Sequence, residues 1–120
     1  MLIFALVLAT PIPLTDAHQR DLSCVVEVAV LADAQKRKAS AGPDVQTHGR
    51  RWAGIVGDRI MFETGQPREL IAVALNEAAK ARSARATDDA MVIACTRQMA
   101  NELAMVDAAT RPLPKPVKAQ

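Results

Sequence analysis

The sequence is short of aromatic residues, glycine and histidine. Its 120 residues include no tyrosine, five glycines, two histidines and three aromatic side chains, Phe4, Trp52 and Phe62, whereas alanine occurs 23 times. Sandwiches and barrels are enriched in aromatic and β-branched residues and use glycine in their turns, so this composition disfavours them and favours an all-α fold. A chain of this length is expected to form one domain.

An excess of charge of either sign is also missing. The chain has 15 Lys and Arg against 13 Asp and Glu, and the formal net charge at pH 7 is +2. The two signs are interspersed along the chain. This pattern predicts neither a nucleic-acid partner nor a polybasic membrane anchor, and we expect the partner to be another protein.

The motifs of several enzyme classes are absent. There is no glycine-rich phosphate loop after a strand and no Gly-x-Ser-x-Gly elbow. The only histidines, His18 and His48, have no cysteine or second histidine at metal-ligand spacing. We therefore predict that the protein is not an enzyme and that it has no catalytic residues, no cofactor and no metal site.

The N-terminus has the pattern of a secretory signal peptide. An unbroken apolar run, Leu2–Leu8, precedes two helix breakers, Pro11 and Pro13, and small residues lead to a predicted cleavage site between Ala17 and His18. A membrane span needs about 20 apolar residues, and a buried N-terminal helix would be broken by the prolines. We therefore predict a periplasmic or secreted protein without a stable membrane anchor after cleavage, divided into a signal peptide (1–17), a helical domain (18–109) and a flexible tail (110–120).

Apolar spacing predicts a bundle of three to four helices. The first, Arg20–Lys38, is apolar on most sides, and only its valines leave a strand as the alternative. A loop is expected over 39–48 and a second helix over Gly49–Glu63, in which Gly54 and Gly57 predict close helix contact or a local break. Gly65 and Pro67 predict a left-handed cap and a short turn, so that the second and third helices form an antiparallel hairpin.

The fourth helix is expected to begin after an N-cap at Thr87. Its apolar residues recur at helical spacing and predict one continuous buried stripe, made of Met91, Cys95, Met99, Leu103 and Val106. The proline- and lysine-rich stretch from Arg111 to Gln120 predicts an extended tail.

The two cysteines are expected to form a disulfide. Cys24 and Cys95 each lie among apolar residues of a predicted helix, so both face the same core, and an isolated pair in an oxidising compartment is usually joined. Closing a loop of this length stabilises a chain by roughly 4 kcal/mol in the chain-entropy estimate. Two buried free thiols are the alternative, and the absence of a Cys-x-x-Cys motif disfavours a redox-active pair.

A small basic and aromatic cluster is the one surface feature that the sequence singles out. Arg50, Arg51 and Trp52 form a possible contact for an anionic partner or a lipid headgroup, with Lys36–Lys38 across the loop. The alternative is a solvated helix start in which Trp52 turns into the core.

With its N-terminal signal, Cys24 in the first helix and Ala94-Cys95-Thr96 in the last, the chain resembles small exported two-cysteine helical proteins of bacteria. More distantly, it resembles the periplasmic acid-stress chaperones of the HdeA type. The resemblance implies an all-helical fold with a structural disulfide and a protein that loosens at low pH to cover unfolded proteins. We therefore expect a non-catalytic, holdase-like stress protein. The alternative is a protein–protein interaction module such as an immunity or inhibitor protein.

Overall fold

Four helices make up most of the part of the chain that the computed structural model describes, residues 10–38 and 45–110. They are α1 (Asp16–Lys38), α2 (Val45–Thr64), α3 (Arg68–Ser83) and α4 (Asp89–Thr110). The described residues contain no strand, so the predicted all-α fold is confirmed and the strand alternative for α1 is wrong. The predicted loop over 39–48 is wrong for residues 45–48, which belong to α2, while residues 39–44 and the tail after Thr110 lie outside the described residues.

The first helix begins four residues earlier than the predicted start at Arg20, because Thr15 caps it. The backbone N–H of His18 donates to Thr15 Oγ1 at 3.2 Å, and the N–H of Thr15 donates to His18 Nδ1 at 3.1 Å. This reciprocal pair is a capping box in which a histidine replaces the usual glutamate. The helix packs against all three other helices, which explains why it is apolar on most sides.

The second helix begins at Val45 and continues unbroken through Gly54 and Gly57. A Cβ added at either glycine would have no heavy atom within 4 Å, so neither the predicted break nor the predicted close contact occurs there. The close approach is at Gly49 instead, where an added Cβ would lie 3.0 Å from Cγ1 of the buried Val28. α1 and α2 therefore approach each other closely at Gly49, which lies five residues before the first of the glycines that the sequence singled out.

The connection between α2 and α3 is as short as predicted. Gly65 has φ of 71°, the left-handed conformation expected of the cap, and Pro67 is the N-cap of α3. Ala53, far from this turn in α2, and Leu75, well inside α3, line the same shallow groove. A three-residue link allows this only if the helices run antiparallel, so the predicted hairpin is confirmed.

The fourth helix has a different N-cap from the predicted one. Asp88 accepts from the N–H of Met91 through Oδ1 at 3.3 Å, whereas the hydroxyl of Thr87 accepts from Arg82 at 2.9 Å. Both residues are able to cap a helix, but the Thr87 hydroxyl is bonded to the buried Arg82 instead. The apolar stripe of α4 faces the core as predicted, with Cys95, Met99 and Leu103 buried and Met91 and Val106 half-buried.

The predicted disulfide joins α1 to α4 through the core. The Cα atoms of Cys24 and Cys95 are 5.0 Å apart and the sulfur atoms are bonded. Around the bond, apolar side chains from all four helices form one buried cluster, which includes Val28, Trp52, Val56, Ile60, Ile71, Met99 and Leu103.

Candidate functional site

A buried carboxylate lies between two arginines where α1 meets the end of α3. Glu27 is 1% exposed. Its Oε1 lies 2.8 Å from Nε of Arg82, which is in the last turn of α3. The same oxygen accepts a hydrogen bond from Arg85, which lies in the link between α3 and α4. The Arg82 side chain is 9% exposed and that of Arg85 is 38% exposed. A buried ion is stable only when paired, so this triad fixes the end of α3 against α1.

The triad is incompletely hydrogen-bonded. Arg82 donates to the backbone oxygen of Arg85 and to the hydroxyl of Thr87, which fastens the link between α3 and α4. Its Nε–H does not point at the nearby Glu27 oxygen, and Oε2 of Glu27 has no hydrogen-bond partner among the described residues. The attraction between Glu27 and Arg82 is therefore mainly ionic, and it depends on the carboxylate being charged.

A second polar network joins α1, α2 and α4. Arg59 lies 3.2 Å from Asp21 and 2.7 Å from Glu102. Gln98 donates to both carboxylates at 2.9 Å, and the indole N–H of Trp52 donates to Glu102 at 3.1 Å. The network holds three helices together through two acidic side chains.

The hydrogen bonds to Glu102 decide the ionisation of its carboxyl group. Partial burial opposes ionisation, but hydrogen bonds from Gln98, Arg59 and Trp52 and the charge of Arg59 outweigh it, so the pKa of Glu102 is lowered. For Arg59, burial is likewise outweighed by its bonds to Glu102 and Asp21, and its pKa is raised. Both partners remain charged at neutral pH.

The start of α1 is tied to the end of α2. Because Nδ1 of His18 accepts from the N–H of Thr15, the neutral ring carries its proton on Nε2, which lies 3.2 Å from Oε1 of Glu63. The N–H of Ile12 also donates to the backbone oxygen of Thr64 at 2.8 Å. The predicted cleavage bond, between Ala17 and His18, thus lies in the first turn of α1, and cleavage there stays a prediction.

The basic and aromatic cluster is divided by the structure. Trp52 is completely buried, so it is wrong as a surface contact, and the alternative in which it turns into the core is confirmed. Arg51 pairs with Asp107 at 2.5 Å, which raises the pKa of Arg51 through a hydrogen bond. Arg50 is exposed and has no partner among the described residues.

No group of three His, Cys, Asp or Glu side chains suited to a metal ion occurs within residues 10–38 and 45–110. None of the helices described there has both the length and the apolar character needed to cross a membrane. In comparisons with known proteins, no family model, curated protein or solved structure significantly matches this chain.

Sequence reasoning identified the disulfide but missed the buried triad. One signal was present: Glu27 is the only acidic residue between Leu22 and Ala32, in a segment that is otherwise almost wholly apolar. An acidic side chain in a helix buried on most sides needs a cationic partner. The pattern does not say which cation, because Arg82 and Arg85 are more than 50 positions away.

Proposed function

We propose that this protein is a non-catalytic stress protein of the periplasm or the extracellular space, which opens in acid and covers unfolded proteins with its apolar core faces. The single observation that carries the proposal is the chemical difference between the ties that connect its helices. In the described residues, α1 is tied to the end of α3 and its following link through Glu27, and α2 is tied to α1 and α4 through Asp21 and Glu102. The disulfide between α1 and α4 does not titrate.

Acid removes the ion pairs and leaves the disulfide intact. Carboxyl groups are in general protonated in strong acid, so the attractions between carboxylates and cations are lost there. The 15 Lys and Arg side chains stay charged, and without anions they repel one another. The α1–α4 pair stays joined through Cys24–Cys95, while α2 and α3 lose their ionic ties and depend on apolar contacts and on uncharged hydrogen bonds such as that from Ile12 to Thr64.

The third helix is the element that this loss affects most. It packs against α1 and α2, and its ionic tie to the described bundle is the triad of Glu27, Arg82 and Arg85. When Glu27 is neutral, Arg82 is a buried cation without a counter-charge, a situation that costs several kcal/mol. Movement of α3 exposes its buried Ile71 and the facing apolar surface of α2.

The disulfide and the N-terminal pattern support the proposed location. Disulfides persist in oxidising compartments and are rare in the cytosol. The apolar run Leu2–Leu8 supplies the export signal in this proposal. The likeness to the HdeA-type chaperones agrees with the same compartment and activity.

The test is acidification of the purified, oxidised protein from pH 7 to pH 2. We expect the fluorescence of a dye that binds apolar surface to rise while helical circular dichroism is largely kept, and an aggregation-prone client to stay in solution at pH 2 to 3. A dye signal that stays flat over this range, together with no protection of the client, refutes the proposal. A reduced and alkylated sample, measured in the same way, shows whether the disulfide is required for protection of the client.

An interaction module is the second candidate, because one aromatic side chain is exposed without an evident structural reason. Phe62 on α2 is 91% exposed, and Met105 on α4 is 71% exposed. Aromatic residues and methionine are enriched at the cores of protein–protein interfaces. This candidate predicts a stoichiometric complex in native mass spectrometry of periplasmic material that Phe62→Ser abolishes. A monomeric protein in both samples counts against it.

A further inference from the structure

We propose that the groove beside the N-terminal half of α2 binds a single-chain amphipathic anion, with a free fatty acid as the chemical class of the ligand. The groove has a volume of about 360 Å³ and lies between α1 and α2 with one contribution from α3. This volume is within the usual range for small-molecule sites, which begins at about 300 Å³. The proposal is independent of the proposed stress function.

The floor of the groove is apolar. It consists of aliphatic side chains from three helices, which are Val25, Ala29, Ala32, Val45, Ala53 and Leu75. On α1 these positions follow one face, and most of them are small, which leaves the groove open. An acyl chain placed there removes its own apolar surface and that of the floor from water.

The charges at the mouth of the groove select the head group. Three charged side chains line it, Asp33, Lys36 and Arg50. Asp33 is paired with Arg37 at 2.6 Å. Lys36 and Arg50 are exposed and have no ion pair or hydrogen bond with the described residues. Two unpaired cations next to an apolar groove complement a carboxylate at the end of an acyl chain.

The same observations explain part of the basic cluster that the sequence singled out. Of its members whose side chains the structure describes, Arg37 and Arg51 pair with carboxylates and Trp52 is buried. Lys36 and Arg50 are left for a ligand, and they lie on the two helices that form the groove. The contact with an anion therefore involves a groove and two cations instead of an exposed tryptophan.

The test compares three twelve-carbon amphiphiles by isothermal titration of the oxidised protein at pH 7, each below its micelle concentration or, for the alcohol, its solubility limit. Dodecanoate should bind one molecule per chain, and dodecanol and dodecyltrimethylammonium should bind at least about tenfold more weakly, because only the carboxylate makes charge-assisted contacts. Equal binding of all three, or no binding of dodecanoate, overturns the proposal.

Substitutions connect the binding to this groove. Lys36→Gln combined with Arg50→Gln should weaken dodecanoate binding by about tenfold or more. The control of equal charge, Arg20→Gln with Arg97→Gln, removes two exposed cations that do not line the groove and should leave binding unchanged. Ala29→Phe, at an exposed helix position, should block the groove without disturbing the core. If the control pair weakens dodecanoate binding as much as Lys36→Gln with Arg50→Gln does, the assignment of the binding site to this groove is overturned.

A membrane surface is the competing source of the same anionic chemistry. In a parallel measurement, vesicles of anionic phospholipid are mixed with the protein and sedimented. Sedimentation that requires Lys36 and Arg50, without binding of free dodecanoate, assigns the cations to a bilayer surface and overturns the fatty-acid proposal. Dodecanoate binding without vesicle binding supports it.

Discussion

Replacement of Glu27 by glutamine tests the central physical argument, because it removes the buried negative charge and keeps the shape of the side chain. Breaking a buried ion pair by removal of one partner costs about 3–5 kcal/mol. The Arg85 side chain is 38% exposed and can turn toward water, whereas that of Arg82 is 9% exposed and cannot. We therefore expect the lower end of that range, a loss of about 3 kcal/mol in the free energy of unfolding at pH 7.

Urea unfolding followed by circular dichroism measures this loss. With a slope of about 1–1.5 kcal/mol per M, typical of a domain of this size, the midpoint should fall by about 2–3 M. Amide hydrogen exchange should quicken first in α3, which the triad fixes to α1. The matched control is Glu77→Gln on α3, which removes an exposed pair with Lys80 and should cost less than about 0.5 kcal/mol.

Two results would refute the reasoning. One is a Glu27→Gln variant whose stability equals that of the Glu77→Gln control. The other concerns the double variant Glu27→Leu with Arg82→Leu, in which no buried cation is left without its counter-charge. Because Arg82→Leu also removes the hydrogen bonds to Arg85 and Thr87, the double variant is compared with Arg82→Leu alone. Replacement of Glu27 should cost much less in that background than in wild type, and an equal cost contradicts the ionic explanation.

Three further predictions follow from other contacts. Cys24→Ser or Cys95→Ser alone should lower the free energy of unfolding by about 4 kcal/mol, and the double change should cost little more, because both remove one bond; clearly additive losses would mean that the cysteines are not bonded. Gly54→Ala should raise stability by about 1 kcal/mol in thermal unfolding, whereas Gly49→Ala, whose Cβ would lie 3.0 Å from the buried Val28, should raise it less, because part of the gain in helix propensity is offset by this contact. For Glu102, whose pKa is lowered by folding, the stabilisation is fully present above pH 4.5 and is lost as the pH falls through the lower pKa of the folded state. Wild type and Glu102→Gln should therefore differ at pH 7 and converge in acid, and a difference that grows as the pH falls contradicts the assignment.

The helical fold was predictable because local patterns determine most of it. The apolar stripe of α4, the left-handed Gly65 and the pairing of the two cysteines depend on spacing within one helix, on one turn or on the count of a rare residue. Each such signal is complete within a few positions of the sequence. Predictions of helix starts were less accurate, because several residues at each start are able to cap.

The contacts that make up the candidate site could not be predicted in the same way. Whether Thr87 or Asp88 caps α4 depends on Arg82. Its guanidinium group donates a hydrogen bond to the hydroxyl of Thr87, so this hydroxyl does not cap the helix. The partners of Glu27 depend on how α3 crosses α1. At Gly54 and Gly57 the sequence predicted a role in packing, but the space beside both is open. Composition indicates that a glycine is present, and only the packing shows whether a neighbour requires it.

The position of the predicted cleavage bond has a consequence for the stability of an exported form. A chain that begins at His18 lacks the cap at Thr15, the hydrogen bond from Ile12 to Thr64 and the packing of Leu14 against the core. Loss of an N-cap alone costs about 1 kcal/mol, and the new α-amino group places a positive charge at a helix N-terminus, where the macrodipole disfavours it. Such a form depends more strongly on the disulfide and on Glu27 than the full chain does. It is therefore closer to opening, which is the property that a protein loosening in acid requires.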